Sequence, residues 1–234
     1  MKRRRILPYI GRLWVTDVGL TTLVASLLIY IFFLYPLAGS GWVKLLTNIF
    51  FSLILIAGAI TVSRNRIFRT LVFSWGLLNF AFLWTRYLFP YQALVLVTDC
   101  LSLAFLMLLT FLILSQVFRE GPTTSHRIMA AVAAYLLLGV IWSLAYDLIV
   151  LAIPGAFNIQ PPSTPGDRES LRSDLFYFSF VTLTTLGYGD IVAVHPMARM
   201  LVILEGVTGQ LFPAVLIARL VSLQVQSKRK TKND

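Results

Sequence analysis

Long apolar runs alternate with short polar connections along this chain. Six of the runs are long enough for a helix to cross the hydrocarbon core of a membrane, which takes about 20 residues. They predict six membrane-spanning helices, near residues 17–36, 42–62, 71–89, 93–118, 128–153 and 197–225. Helices are expected because a spanning segment must satisfy its backbone hydrogen bonds internally.

A seventh apolar stretch, residues 175–186, is too short to span and lies between the fifth and sixth runs. It follows a polar, proline-rich segment at residues 160–167. A short apolar segment between two spans is typical of a re-entrant helix. Asp174 suits the N-cap or first turn of this helix. The predicted fold class is therefore an all-α membrane protein with six transmembrane helices and one re-entrant helix.

The composition agrees with a membrane protein. The chain is 58% hydrophobic and only 13% charged, whereas soluble domains are about a quarter charged. The single cysteine, Cys100, excludes an intrachain disulfide, and we expect it to be a small buried apolar residue. The two histidines, His126 and His195, both lie in predicted loops. The usual metal and nucleophile–base sets of an enzyme are therefore missing, and we expect no enzyme activity and no cofactor.

The net charge of +10 follows the predicted topology rather than a nucleic-acid surface. Cytoplasmic loops are rich in Lys and Arg, so the better orientation has both termini in the cytoplasm of a multi-pass cell-membrane protein. That orientation puts most of the basic residues inside and leaves outside only Lys44, Arg86, Arg168, Arg172 and Arg199. The apolar stretch after the basic N-terminus is too long for a signal peptide, and we expect an uncleaved first span.

The re-entrant stretch runs into Thr185-Leu186-Gly187-Tyr188-Gly189, followed by Asp190. This sequence resembles the selectivity filter of potassium channels, and the resemblance extends over residues 128–226. It implies that the re-entrant helix is a pore helix and that K⁺ binds only to oxygens of these five residues. Backbone carbonyls and the Thr185 hydroxyl replace the water of the ion, and Gly187 and Gly189 allow the backbone angles that this requires. Enclosing an ion takes four such strands, so a homotetramer is implied.

The resemblance also assigns supporting residues around the filter. Leu186 stands where Val or Ile is common, and its side chain would face the supporting protein. Tyr188 would brace the filter against Tyr177 and Phe178, which take positions that carry Trp in many relatives. The remaining support residues are Thr184, Asp190 and Glu205.

The acids near spans allow more than one interpretation, because such residues are costly in lipid and often functional. Glu205 either faces the pore and concentrates cations or braces the pore helix through Thr182 or Thr184, and we favour bracing. Asp147 is expected to hold the pore loop. Asp99 lies near the outer membrane surface or pairs with Arg86.

The last span contains the candidates for a gating hinge. The resemblance places the inner-helix hinge glycine at Gly209, and Gly206 is a second candidate. Pro213 removes a backbone donor and predicts a kink. Glycine in a membrane helix equally serves close packing, so the sequence leaves both roles open for Gly209.

The fourth span has no basic residue and only one charge, Asp99. A voltage sensor needs regularly spaced basic residues there, so classical voltage gating is not expected. The predicted organisation is a basic cytoplasmic segment (1–16), a four-helix transmembrane domain (17–118), a pore domain (119–225) and a basic cytoplasmic tail (226–234). The predicted function is a passive, K⁺-selective channel in the lipid bilayer. A weakly selective cation channel is the alternative, and a secondary transporter is less favoured because internal repeats are absent.

Overall fold

A computed structural model describes residues 19–34, 41–61, 66–89, 91–118, 125–160 and 168–233. The predicted basic segment at residues 1–16 and most of the proline-rich segment, residues 161–167, lie outside the described residues. In chain order the elements are α1 (residues 19–34, ending in a π-helical turn at Tyr30–Leu34), α2 (Gly41–Thr61), α3 (Arg66–Leu88), α4 (Gln92–Val117), α5 (Ser125–Ala152), β1 (Phe157–Ile159), α6 (Arg168–Leu183), β2 (Ile191–Ala193) and α7 (Pro196–Asn233).

The chain is mostly helical, as expected for an all-α membrane protein. Within the described ranges, three helices are long and apolar enough to cross a membrane: α4, α5 and the Pro196–Arg219 part of α7. Shorter apolar helical segments occupy Gly19–Phe33 and Leu45–Gly58. The two three-residue strands were not expected from the hydropathy pattern, because a strand this short leaves no periodic signal.

Helix α6 begins at Arg168, earlier than the predicted start near Asp174, which lies inside the helix. Its first turn contains Glu169, whose negative charge suits a helix N-terminus. The added residues are polar, so a search for apolar runs places the start of the helix too late. With 16 residues, α6 is about 24 Å long.

The main core lies between the first four helices and α5. Buried side chains such as Leu23, Leu55 and Phe105 meet α5 in one apolar cluster. The face that α5 presents is made of small residues, with Ala131 and Ala134 fully buried. Small side chains let membrane helices approach closely, and this explains how α5 packs along α4.

A second, smaller core surrounds the short sheet beside α6. The strands are antiparallel, with Phe157 opposite Ala193 and Ile159 opposite Ile191. Beyond the last pair, the Gln160 N–H donates to the Asp190 carbonyl at 2.9 Å. The sheet therefore ties the segment that leaves α5 to the segment that follows the filter motif.

Cys100 corrects one expectation from the sequence. Its side chain is exposed on α4 rather than buried. An apolar run in a membrane helix has a face that contacts lipid as well as a face that contacts protein, and hydropathy alone does not separate the two.

Candidate functional site

Helix α6 ends where the predicted filter begins, and the chain turns sharply there. The Val181 carbonyl accepts the N–H groups of Leu186 at 2.9 Å and Gly187 at 3.3 Å. These bonds satisfy a carbonyl that a helix end would otherwise leave open. They also hold the start of the filter strand against the C-terminal end of α6, which carries partial negative charge.

The filter strand alternates in backbone handedness. Thr185, Gly187 and Gly189 have φ values of 62°, 56° and 81°, and Leu186 and Tyr188 between them do not have positive φ. Residues of alternating hand direct successive carbonyls to the same side of a strand, which is the arrangement an ion-coordinating strand needs. The two glycines tolerate this conformation.

The positive φ of Thr185 was not predicted from the sequence. A β-branched residue at positive φ is a steric outlier, and strained residues of this kind cluster at functional sites. Only the filter motif indicates a positive φ at Thr185, because threonine rarely adopts one.

One chain leaves the filter side chains uncovered. Tyr188 is 68% exposed and Leu186 is 60% exposed, so neither is packed against its own subunit. Tyr177 is also exposed, and it lies near Asp190, whose charge acts on its hydroxyl. The strand therefore presents an exposed surface.

Within one chain, Phe178 packs into the second core, whereas Tyr177 is exposed. The Phe178 ring is buried against the rings of Tyr146 and Phe157, with centroid distances of 5.4 Å to each. Adjacent residues of a helix point about 100° apart, so Tyr177 and Phe178 have different surroundings within the chain, and bracing of Tyr188 by this pair stays a prediction.

Two acids lie close together at the far end of the filter. Burial and then the negative charge of Asp190 raise the pKa of Asp174. The Asp190 carboxylate also accepts the N–H of Ile191 at 3.1 Å, which fixes the residue directly after Gly189. This end of the filter is therefore acidic, a charge that suits cations.

Glu205 of α7 is fully buried behind α6. One carboxyl oxygen is 2.6 Å from the Ser179 hydroxyl, and the other bonds to the Tyr146 hydroxyl. The predicted partners were Thr182 or Thr184, but the Thr184 hydroxyl instead donates to the Phe180 carbonyl at 2.6 Å. Glu205 thus links α5, α6 and α7 and does not face a cavity.

The protons around Glu205 can be counted. The Ser179 hydroxyl is 2.8 Å from the Gly139 carbonyl oxygen as well as 2.6 Å from Glu205. A hydroxyl has one proton, so both contacts are hydrogen bonds only if Glu205 is a neutral acid that donates to Ser179. Within the described part of the chain, no Lys or Arg pairs with Glu205, and an unpaired buried carboxylate is strongly unfavourable.

A substitution pair tests this arrangement. Glu205→Gln keeps one acceptor for Tyr146 and replaces the O–H donor to Ser179 with an N–H donor, so its K⁺ flux in liposomes should stay within about twofold of the original protein. Glu205→Ala leaves two buried hydroxyls without this partner and should lower stability by about 2–4 kcal/mol, with loss of flux. A large loss of flux in Glu205→Gln would instead support an ionised, cation-concentrating Glu205.

Gly209 lies against the end of α6. A Cβ at this position would be 2.0 Å from the Leu183 carbonyl oxygen, whereas a Cβ at Gly206 would meet nothing within 4 Å. Helix α7 continues through both glycines and through Pro213. Of the two roles that the sequence left open for Gly209, the structure gives a specific reason for close packing.

Tyr135 of α5 contacts α6 and α7, and these contacts were not predicted from the sequence. Its hydroxyl donates to the Leu183 carbonyl at 3.1 Å, and its ring lies 5.6 Å from that of Phe212 on α7. A lone tyrosine in an apolar helix gives no signal of its partner. With Gly209, it fixes the last residue of α6, two residues before Thr185.

The comparisons with known proteins match this same part of the chain. A family model described as "Ion channel" covers residues 134–226. Protein LctB of Bacillus caldotenax is 34% identical over 86 residues, which make up 37% of this chain and 62% of LctB. No solved structure matches significantly.

Other relatives are named as potassium channels. The inward rectifier potassium channel Kirbac3.1 of Paramagnetospirillum magnetotacticum is 35% identical over 35% of this chain and 24% of its own length. The two-pore potassium channel 4 of Arabidopsis thaliana is 44% identical over 24% of this chain and 20% of its own length. The chain thus spans less than two thirds of each of these relatives. In its C-terminal part, the chain is thus similar to the ion-channel family and to these two potassium channels.

Proposed function

We propose that this protein is a passive, K⁺-selective channel of the cell membrane, formed by four copies of the chain. Each copy contributes six spans, a re-entrant pore helix (α6) and one filter strand, with both termini in the cytoplasm. No cofactor is involved, and K⁺ is the permeant ion. The proposed ion sites are the oxygens of residues 185–189.

The alternating backbone of the filter carries this proposal. Positive φ at Thr185, Gly187 and Gly189 turns successive carbonyls to one side, and K⁺ requires oxygens that replace its hydration shell. One strand supplies only part of such a shell, and the exposure of Leu186 and Tyr188 leaves room for neighbouring copies. The names of the potassium-channel relatives support K⁺ as the ion.

The remaining features follow from hydropathy and charge. Three described helices are span-like by length and composition, and the runs in the first part of the sequence supply the other three proposed spans. The distribution of Lys and Arg supports the orientation. The mild departure at Leu186 makes the degree of selectivity the first property to measure.

Reconstitution tests the function directly. Purified protein in liposomes should conduct K⁺, Ba²⁺ should block the flux, and the reversal potential under a K⁺/Na⁺ gradient should follow K⁺. Equal permeability of the two ions would replace this proposal with a weakly selective cation channel. A saturable flux that requires a second ion would indicate a transporter.

Voltage steps test the first four helices. Among the described residues, α4 has Asp99 as its only charge, so little charge is available to move through the field. Steps from negative to positive potential in planar bilayers should therefore give no steep, multi-charge activation. A conductance that rises steeply with voltage would contradict this interpretation of α4.

A further inference from the structure

A chain of ion pairs joins four helices at the N-terminal end of α6. Arg86 of α3 donates to Asp99 of α4 at 2.6 Å, which is one of the two alternatives that the sequence left open for Asp99. The other Asp99 oxygen pairs with Arg172 of α6. Arg172 also donates through Nε to Asp147 of α5 at 2.7 Å. One arginine on the pore helix therefore holds an acid of the four-helix domain and an acid of the pore domain.

These charges are withdrawn from solvent. The side chains of Asp99 and Arg172 are 2% and 16% exposed, and Asp147 is also buried. Removing one member of a buried pair leaves the other charge uncompensated, which is strongly unfavourable. The pairs are therefore expected to persist while the protein works.

Arg172 acts on the same helix that supports the filter. α6 is tied at Arg172, then two turns later at Ser179 through Glu205, and finally at Leu183 through Tyr135. A helix is stiff over this length, so a displacement at Arg172 also moves the end that leads into Thr185. The first of the three ties is the one that reaches the four-helix domain.

A second contact joins the four-helix domain to α6. The ring of Tyr30 on α1 meets that of Phe176 edge to face, at a centroid distance of 5.9 Å. Beside this contact, a cavity of about 520 Å³ is lined by Tyr30 and by the ion-pair side chains. The ion-pair side chains thus line this cavity together with Tyr30.

We propose that Arg172 is a positioning residue of the filter and that Asp99 gives the four-helix domain direct control over it. Movement or substitution in α4 changes the position of α6 and, through it, the ion selectivity of residues 185–189. The inference rests on the proposed channel function. It gives the first four helices a role in conduction without basic residues in α4.

The experiment compares Asp99→Asn in two backgrounds, the original protein and Arg172→Gln. The full chain is reconstituted in liposomes, and the K⁺/Na⁺ permeability ratio is taken from reversal potentials. Asp99→Asn should lower the ratio severalfold in the original protein and have no further effect in Arg172→Gln, because the two residues act through one contact. The same change in both backgrounds, or no change in either, overturns the proposal.

Arg86→Gln is the matched control. Arg86 bonds the same carboxylate, but its partner lies within the four-helix domain. The permeability ratio should therefore stay unchanged in Arg86→Gln. If Arg86→Gln and Asp99→Asn lower the ratio equally, Asp99 serves only the folding of its own domain, and the proposal fails.

Arg172→Lys covers the case in which Asp99→Asn does not assemble. Lysine keeps a positive charge between Asp99 and Asp147. Arg172→Lys should assemble and have a K⁺/Na⁺ permeability ratio above that of Arg172→Gln, and equal ratios in these two variants overturn the proposal. Absence of K⁺ flux in the original protein would instead refute the channel function itself.

Discussion

Gly209→Ala should lower the stability of the pore domain by about 3 kcal/mol and abolish K⁺ flux. The added methyl group would be 2.0 Å from the Leu183 carbonyl oxygen. A backbone oxygen cannot move away by a change of side-chain rotamer, so α7 or α6 must shift. The stability change is measured as the thermal midpoint of the purified protein in detergent, and the flux is measured in liposomes.

Gly206→Ala is the control for this prediction. It lies three residues earlier in the same helix, and a Cβ there meets no atom within 4 Å. Both variants lose the same backbone freedom, so a role in bending would impair both, whereas close packing impairs only Gly209→Ala. Normal flux and stability in Gly209→Ala would contradict the packing role.

Gly187→Ala and Gly189→Ala should each eliminate K⁺ flux while the protein still assembles. Both positions have positive φ, where a Cβ costs about 1–2 kcal/mol. Alanine relieves this strain by rotating its peptide, which turns a carbonyl away from the ion path. Single-channel recording and liposome flux measure the loss, and chemical crosslinking monitors assembly.

Gly155→Ala provides a control of equal strain. Gly155 has a φ of 81°, like Gly189, and open space around its Cβ position, but it lies in the turn after α5. It should lose about 1 kcal/mol of stability and keep its K⁺ selectivity. Selective conduction by Gly189→Ala would show that the filter backbone does not depend on this glycine.

The sequence predicted those parts of the structure whose cause is local. Hydropathy located α4, α5 and the first part of α7, because a spanning helix is apolar over its whole length. The filter motif predicted the conformation of Gly187 and Gly189, because few other residues adopt positive φ. Both signals are contained within a short window of sequence.

The parts that could not be predicted depend on distant partners. The first turns of α6 are polar, and Arg172 pairs there with Asp99, which lies 73 residues earlier in the chain. Glu205 was recognised as a support residue, but its contact with Ser179 depends on how far α6 and α7 slide past each other. The direction of Phe178 likewise follows from the second core, which forms only when β1 and β2 pair.

The exposure of Tyr188 and Leu186 in a single chain has a genetic consequence. If four chains share one filter, one defective copy abolishes K⁺ flux through every complex that contains it. In a cell making equal amounts of normal and Gly189→Ala protein, random assembly would leave roughly one complex in sixteen intact. Such a mutation should therefore behave as dominant.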